Sequence, residues 1–137
     1  MRRVTKIGGY DACHSFDNET VFVQPRYEKI YQMEQLGMRM IEENGGSFQR
    51  GRNIHICARQ AGFDHSRTRL TTSNYCFRTP EERRYWGGMM VGIGKESVIL
   101  RKAIREGYTT AEEVTEMVLA RKNWIVNENG IYAGSNM

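Results

Sequence analysis

Four residues in the middle of the chain, Thr79-Pro80-Glu81-Glu82, constrain its fold more than any other stretch. A threonine oxygen accepts a hydrogen bond from the first helical turn. Proline at the first helical position lacks a donor that would be orphaned there anyway, and a glutamate three residues after the threonine returns the bond. The quartet predicts a helix running from 80 toward Arg105, weakened in its middle by Gly87, Gly88, Gly92 and Gly94 and stopped by Gly107. Thr109 or Thr110 then caps a last helix to about Trp124, which buries Val114, Met117, Val118 and Ala120-Arg121.

The remaining elements follow from periodicity. Pro25 opens a helix in which Tyr27, Ile30, Tyr31, Glu34, Met38 and Ile41 recur at helical spacing to about Glu43, and Asn44-Gly45-Gly46 ends it. Residues 52–61 form a shorter helix with Ile54, Cys57, Ala58 and Ala61 on one face and Gly62 as its cap. Residues 4–9 signal a turn, 10–16 a short strand and 17–20 a loop. Residues 68–77, rich in β-branched and aromatic side chains, predict a second strand. After the turn Asn127-Glu128-Asn129-Gly130, Ile131-Tyr132-Ala133 closes the chain as a short strand. The order is β, α, α, β, α, α, α, β. It predicts an α/β or α+β fold in one domain over residues 1–137, a length that suits one modest core rather than two.

Composition narrows the function classes. Twenty Lys and Arg against sixteen Asp and Glu give +4, but the basic residues are scattered and interleaved with glutamate. That pattern predicts a solvated surface and no nucleic-acid partner. Cys13, Cys57 and Cys76 are odd in number and far apart, as in free thiols of a reducing compartment. No apolar run approaches the ~20 residues of a membrane span, and no apolar signal core follows the basic N-terminus, so no membrane partner and a cytoplasmic location are expected. His14, His55 and His65 with the three cysteines do not make metal-ligand spacing, so no metal is expected.

Four stretches carry a resemblance. Met1-Arg2-Arg3-Val4-Thr5-Lys6-Ile7-Gly8-Gly9-Tyr10 resembles an R-V-L-K-P-G-G turn, with Ile7 in place of the usual proline. Gly51-Arg52-Asn53 through Ala61-Gly62-Phe63 resembles G-R…L-R-E-A-G-F, and Thr79-Pro80-Glu81-Glu82-Arg83-Arg84-Tyr85-Trp86-Gly87 is similar to T-P-E-E-R-x-W-W-G. Gly107-Tyr108-Thr109-Thr110-Ala111-Glu112-Glu113-Val114 resembles G-L-A-T-R-E-E-L. In this order they resemble the C-terminal, substrate-facing part of a class I, Rossmann-like, S-adenosylmethionine-dependent small-molecule methyltransferase. The resemblance places Met1 just before that fold's fifth strand and leaves four of its seven strands without a counterpart. It implies no cofactor site on this chain, since no G-x-G-x-G follows a strand. Gly92-Ile93-Gly94-Lys95 lies inside a helical pattern. S-adenosylmethionine is then expected only if another chain supplies the missing half. A strand central to the parent sheet becomes an edge here, which predicts a homodimer or a heteromeric partner.

Candidate site residues fall into two groups. His14 and Asp17 lie at the carboxyl end of the predicted first strand, where open α/β sheets place ligands. A histidine there suits a general base, with the aspartate orienting it. Alternation puts Ala12, His14 and Phe16 on one strand face and Asp11, Cys13 and Ser15 on the other. Tyr27, Tyr31, Tyr75, Phe77, Tyr85, Trp86, Met89 and Met90 form an aromatic and methionine-rich set, with Phe16 and Arg26 as further substrate-binding candidates. By resemblance it caps an apolar, often aromatic, acceptor, and core packing is its alternative role. Arg26, Arg52 and His55 suit an acidic substrate group, although Arg52 also fits a helix start or the surface. Three functions are consistent with these residues. The first is a small-molecule-binding protein of methyltransferase descent, acting as a cofactor-independent isomerase or cyclase. The second is the acceptor-binding part of a split methyltransferase, and the third is a non-catalytic regulatory partner of a full-length relative.

Overall fold

The computed structural model describes residues 6, 8–47 and 50–136, with backbone alone at 94–96. Among these residues the chain forms a mixed α and β fold of five helices and a three-stranded antiparallel sheet. The order is β1 (Phe16–Gln24), α1 (Glu28–Glu43), α2 (Arg50–Gln60), β2 (Ser73–Phe77), α3 (Pro80–Glu96), α4 (Val98–Arg105), α5 (Ala111–Val126) and β3 (Ile131–Asn136), with a 3-10 turn at His65–Arg67. The last strand lies between the first two, in the order β1-β3-β2, so β1 and β2 are the edges. Most of the expected N-terminal turn, residues 1–5 and 7, lies outside the described residues.

The element order agrees with the sequence, but several boundaries differ for identifiable reasons. Residues 10–15 are not strand, and β1 runs through the polar stretch 17–20 that was expected to be a loop. Asp17 is buried and receives Arg52 Nε at 2.9 Å, while the Thr20 hydroxyl donates to the Asp17 carbonyl at 2.8 Å. Partners supplied from α2 and from within the strand offset the weak strand propensity of this run. α1 begins at Glu28 rather than at Pro25, and β2 at Ser73 rather than at Thr68. The long helix expected from 80 to 105 is divided at Ser97, not at its glycines. The Ser97 hydroxyl accepts from the N–H groups of Ile99 (3.1 Å) and Leu100 (3.4 Å), which starts α4. Gly87 lies within α3 where the chain packs closely: a Cβ there would collide with the Ile125 side chain of α5 and crowd Trp124.

The helix starts are as expected. Thr79 with Glu82, and Thr110 with Glu113, both form complete capping boxes. Gly45, Gly62 and Gly107 take φ of 76°, 83° and 76° just past α1, α2 and α4, the left-handed backbone that glycine tolerates.

Contacts divide the chain into two compact units. The first comprises Met1–Val21, Phe48–Tyr75 and Gly134–Met137, the second Phe22–Ser47 and Cys76–Ala133, and each strand contributes residues to both. The second unit holds an apolar core of Met33, Leu36 and Met40 from α1, Leu100 and Ala103 from α4 and Met117 from α5. Beside it Phe77 stacks on Trp86 with centroids 4.8 Å apart, and Tyr132 lies 5.5 Å from Trp86. Arg121, 1% exposed, donates to Glu34 at 2.8 Å and lies 5.4 Å from the Tyr132 ring centre.

Candidate functional site

The first unit presents aromatic rings to solvent on a polar base. His14 is exposed, and its ring meets Phe16 edge-on with centroids 6.0 Å apart. Phe16, on β1, is 46% exposed and meets Tyr75 of β2 edge-on at 6.1 Å. These two strands are not neighbours, because β3 runs between them. Gly134 makes the contact possible: a Cβ at that position would lie 2.8 Å from the Tyr75 ring carbon that bears the hydroxyl. The absent side chain lets the Tyr75 ring lie over the central strand, giving a series His14–Phe16–Tyr75.

Beneath Phe16 the backbone is held by charge. Arg52 of α2 donates to Asp17 at 2.9 Å and also binds Glu19. The Asp17 hydrogen bond, with the charges of Asp17 and Glu19, raises the Arg52 pKa above its already high ordinary value, so the guanidinium stays charged. Gly51 lets α2 approach closely, since a Cβ there would stand 3.1 Å from the Phe16 carbonyl oxygen. Asp17 also accepts from the Glu19 N–H at 3.3 Å. Asp17 is therefore a ligand of Arg52 that anchors the strand, and Arg52 lies half-exposed in the first turn of α2. His55, also on α2, is half-buried, and its Nδ1 is enclosed without a hydrogen-bond partner among the described residues.

The other candidates lie in the second unit, each in its own setting. The Tyr31 hydroxyl accepts from the Val23 N–H at 3.0 Å and donates to the Val23 carbonyl at 3.3 Å. Asn127 donates to the Tyr27 hydroxyl at 3.2 Å. Arg26 pairs with Glu28 at 3.1 Å and covers the Tyr31 ring at 5.0 Å. Trp86 belongs to the stack with Phe77 and Tyr132. Tyr85 and Met89 are exposed on α3, and Met90 is half-buried. The structure thus joins His14, Phe16 and Tyr75, keeps Asp17, Arg52 and His55 in the same unit, and places Arg26, Tyr27, Tyr31, Phe77, Tyr85, Trp86, Met89 and Met90 in the other. The roles of Gly134 and Glu19 are not marked by their own sequence context. A glycine inside a strand, as at Gly134, is the general sign of a close approach, and the neighbour it approaches is set by the fold.

The second unit also has a polar cleft of about 390 Å³ lined by Lys29, Gln32, Gln35, Leu36, Arg39 and Tyr108, among others. Its two cations are already neutralised: Lys29 by Glu116 at 2.7 Å and Arg39 by Glu43 at 3.2 Å. No group of three or more His, Cys, Asp and Glu able to hold a metal occurs among the described residues, and no helix there is long and apolar enough to cross a membrane. Gly92-Ile93-Gly94-Lys95 is helical within α3, so this glycine pair does not form a turn that grips ribose or phosphate and does not fit an adenosyl cofactor. No protein-family model and no curated protein matches the chain.

Proposed function

We propose that the chain binds a planar aromatic small molecule on the His14–Phe16–Tyr75 platform, as the acceptor-side part of a methyltransferase-like protein. The observation that carries this reading is the ring series itself, with Phe16 46% exposed and Tyr75 laid over Gly134. His14 and Phe16 are exposed, and exposed aromatic surface of this kind marks binding sites on small proteins. By the resemblance, β1, β2 and β3 correspond to the parent fold's fifth, sixth and last strands. β1 stands at a sheet edge, where strands from another polypeptide can pair. The methyl donor has no seat on residues 1–137 under this reading, so binding and orienting the acceptor is the contribution of this chain.

Calorimetry tests the reading directly. Titration with 2-naphthol gives saturable heat that Phe16→Ala abolishes, while S-adenosylmethionine gives none with this chain alone. Heat from the methyl donor, or 2-naphthol binding that survives Phe16→Ala, refutes it. A second reading, a cofactor-independent isomerase or cyclase, is favoured by His14, whose imidazole is exposed at the end of the ring series. Turnover of an aromatic polyketide-type substrate that survives His14→Ala removes that role. The β1 edge and the exposed Phe16, Phe22, Tyr85 and Met89 further support self-association, and a clean monomer by light scattering at micromolar concentration contradicts it.

A further inference from the structure

The polar cleft of the second unit, about 390 Å³, has the size of a small-molecule site, and the charges along it are already matched. Lys29 is held by Glu116 at 2.7 Å and Arg39 by Glu43 at 3.2 Å. Glu113, the acid that lines it, accepts the Thr109 hydroxyl at 2.9 Å and the Thr110 N–H at 3.0 Å. Two carboxamides that line the same cleft are uncommitted. Gln32 and Gln35 stand three residues apart on α1, a spacing that makes them neighbours on the helix surface. Neither has a hydrogen-bond partner among the described residues. Gln35 is exposed and Gln32 half-buried. Arg39, one turn beyond Gln35, holds its guanidinium carbon 3.9 Å over the centre of the Tyr108 ring and keeps 57% of its side chain in solvent. The core residues Leu36 and Met117 also line the cleft, so part of its surface is apolar.

A carboxamide presents a donor and an acceptor side by side in one plane. Its complement is a ring amide, whose N–H and C=O are held on the same side and return both bonds. Two such edges on one planar ring match two carboxamides, and the guanidinium–tyrosine pair gives that ring a flat surface to lie against. Both cations already have glutamate partners, so the cleft favours a neutral ligand over an anion. We propose that this cleft binds a neutral, planar cyclic imide of the pyrimidinedione type, with Gln32 and Gln35 reading its N–H and C=O edges. The site lies in the second unit and is independent of the His14–Phe16–Tyr75 platform.

NMR titration of the full chain with uracil, 1,3-dimethyluracil and orotate tests the assignment. Uracil moves the side-chain amide signals of Gln32 and Gln35 and the signals of Tyr108, and leaves His14 and Phe16 unmoved. 1,3-Dimethyluracil keeps the ring and both carbonyls but has no N–H. It binds about tenfold more weakly, the size expected when two net hydrogen bonds are lost. Orotate, which is uracil bearing a carboxylate, binds no tighter than uracil. Gln32→Met and Gln35→Met keep side-chain length and helix propensity. Together they abolish the preference for uracil over its dimethyl derivative, with circular dichroism at 222 nm unchanged. The three probes are compared on the parent chain, so that comparison stands whatever the substitutions do to folding. Equal binding of uracil and 1,3-dimethyluracil, or a preference that survives both substitutions in a folded chain, overturns the role of the carboxamides. Tighter binding of orotate overturns the neutral-ligand assignment in favour of an anion site at Lys29 and Arg39. Uracil shifts that are absent from the cleft, or centred on His14 and Phe16, overturn the site itself.

Discussion

The two units of this chain are built on opposite principles. Every buried apolar side chain among the described residues, from Val23 and Met40 to Trp124 and Tyr132, belongs to the second unit. In the first unit the buried described positions are Asp17, Gly51, Gly134 and Asn136, two polar residues and two glycines. The second unit also balances its charge, whereas the first carries all the excess. Apolar burial is the dominant favourable term in folding, so the second unit supplies stability. The first is held by close backbone approach and by one ion cluster, and it leaves His14 and Phe16 accessible. Regions with few buried apolar contacts occupy the low-stability end of a protein, where binding surfaces are commonly found.

The sharpest test of this contrast compares the two arginine–carboxylate pairs. Glu34→Ala leaves Arg121 as an unpaired cation, 1% exposed, whose Nε and Nη1 already lack hydrogen-bond partners among the described residues. The expected loss is about 3–5 kcal/mol, the cost of breaking a buried pair from one side, and urea unfolding measures it. Asp17→Ala in the first unit releases an Arg52 that already reaches water, so the loss is smaller, about 1–3 kcal/mol, by the same method. Equal losses would remove the distinction between the units.

Helix caps come next. Thr110→Ala breaks the capping box of α5 and costs about 1 kcal/mol in thermal or urea unfolding. The same boxes respond to acid. Glu82 and Glu113 have pKa values below the ordinary glutamate value, chiefly because each accepts the backbone N–H of its capping threonine. A carboxylate whose pKa is lowered by folding stabilises fully above its unfolded pKa and loses that contribution as pH falls through the folded value. Helicity of the second unit should therefore be flat from neutrality down to about pH 5 and decline below about pH 4, as followed by circular dichroism at 222 nm. A decline on raising the pH through neutrality would contradict the assignment. The smallest effect falls at the platform. Phe16→Ala changes stability by no more than about 0.5–1 kcal/mol, since 46% of Phe16 already faces solvent.

What was legible in the sequence was local. Thr79-Pro80-Glu81-Glu82 and Thr110 with Glu113 specify their helix starts within four residues, and both starts lie where the sequence predicts them. The glycines after α1, α2 and α4 act on their own backbone, and they too were readable. What was not legible depends on distant partners. Residues 17–20 read as a loop because their own propensities are polar, and the Arg52 that anchors Asp17 arrives 35 residues later. The contact between Phe16 and Tyr75 requires two non-adjacent strands and a third one with a glycine between them, which no window of sequence contains. Alternation already put His14 and Phe16 on one face, and the fold alone brings Tyr75 to them. Tyr27 and Tyr31, chosen by the same criterion, instead spend their hydroxyls on Asn127 and Val23.

The most direct test of the platform is a map of amide and aromatic NMR shifts during titration with 2-naphthol. The account predicts changes centred on His14, Phe16, Tyr75 and Gly134, with Tyr27, Tyr31 and the exposed face of α3 unmoved. Changes centred on α3, or on the cleft lined by Lys29 and Tyr108, would contradict it.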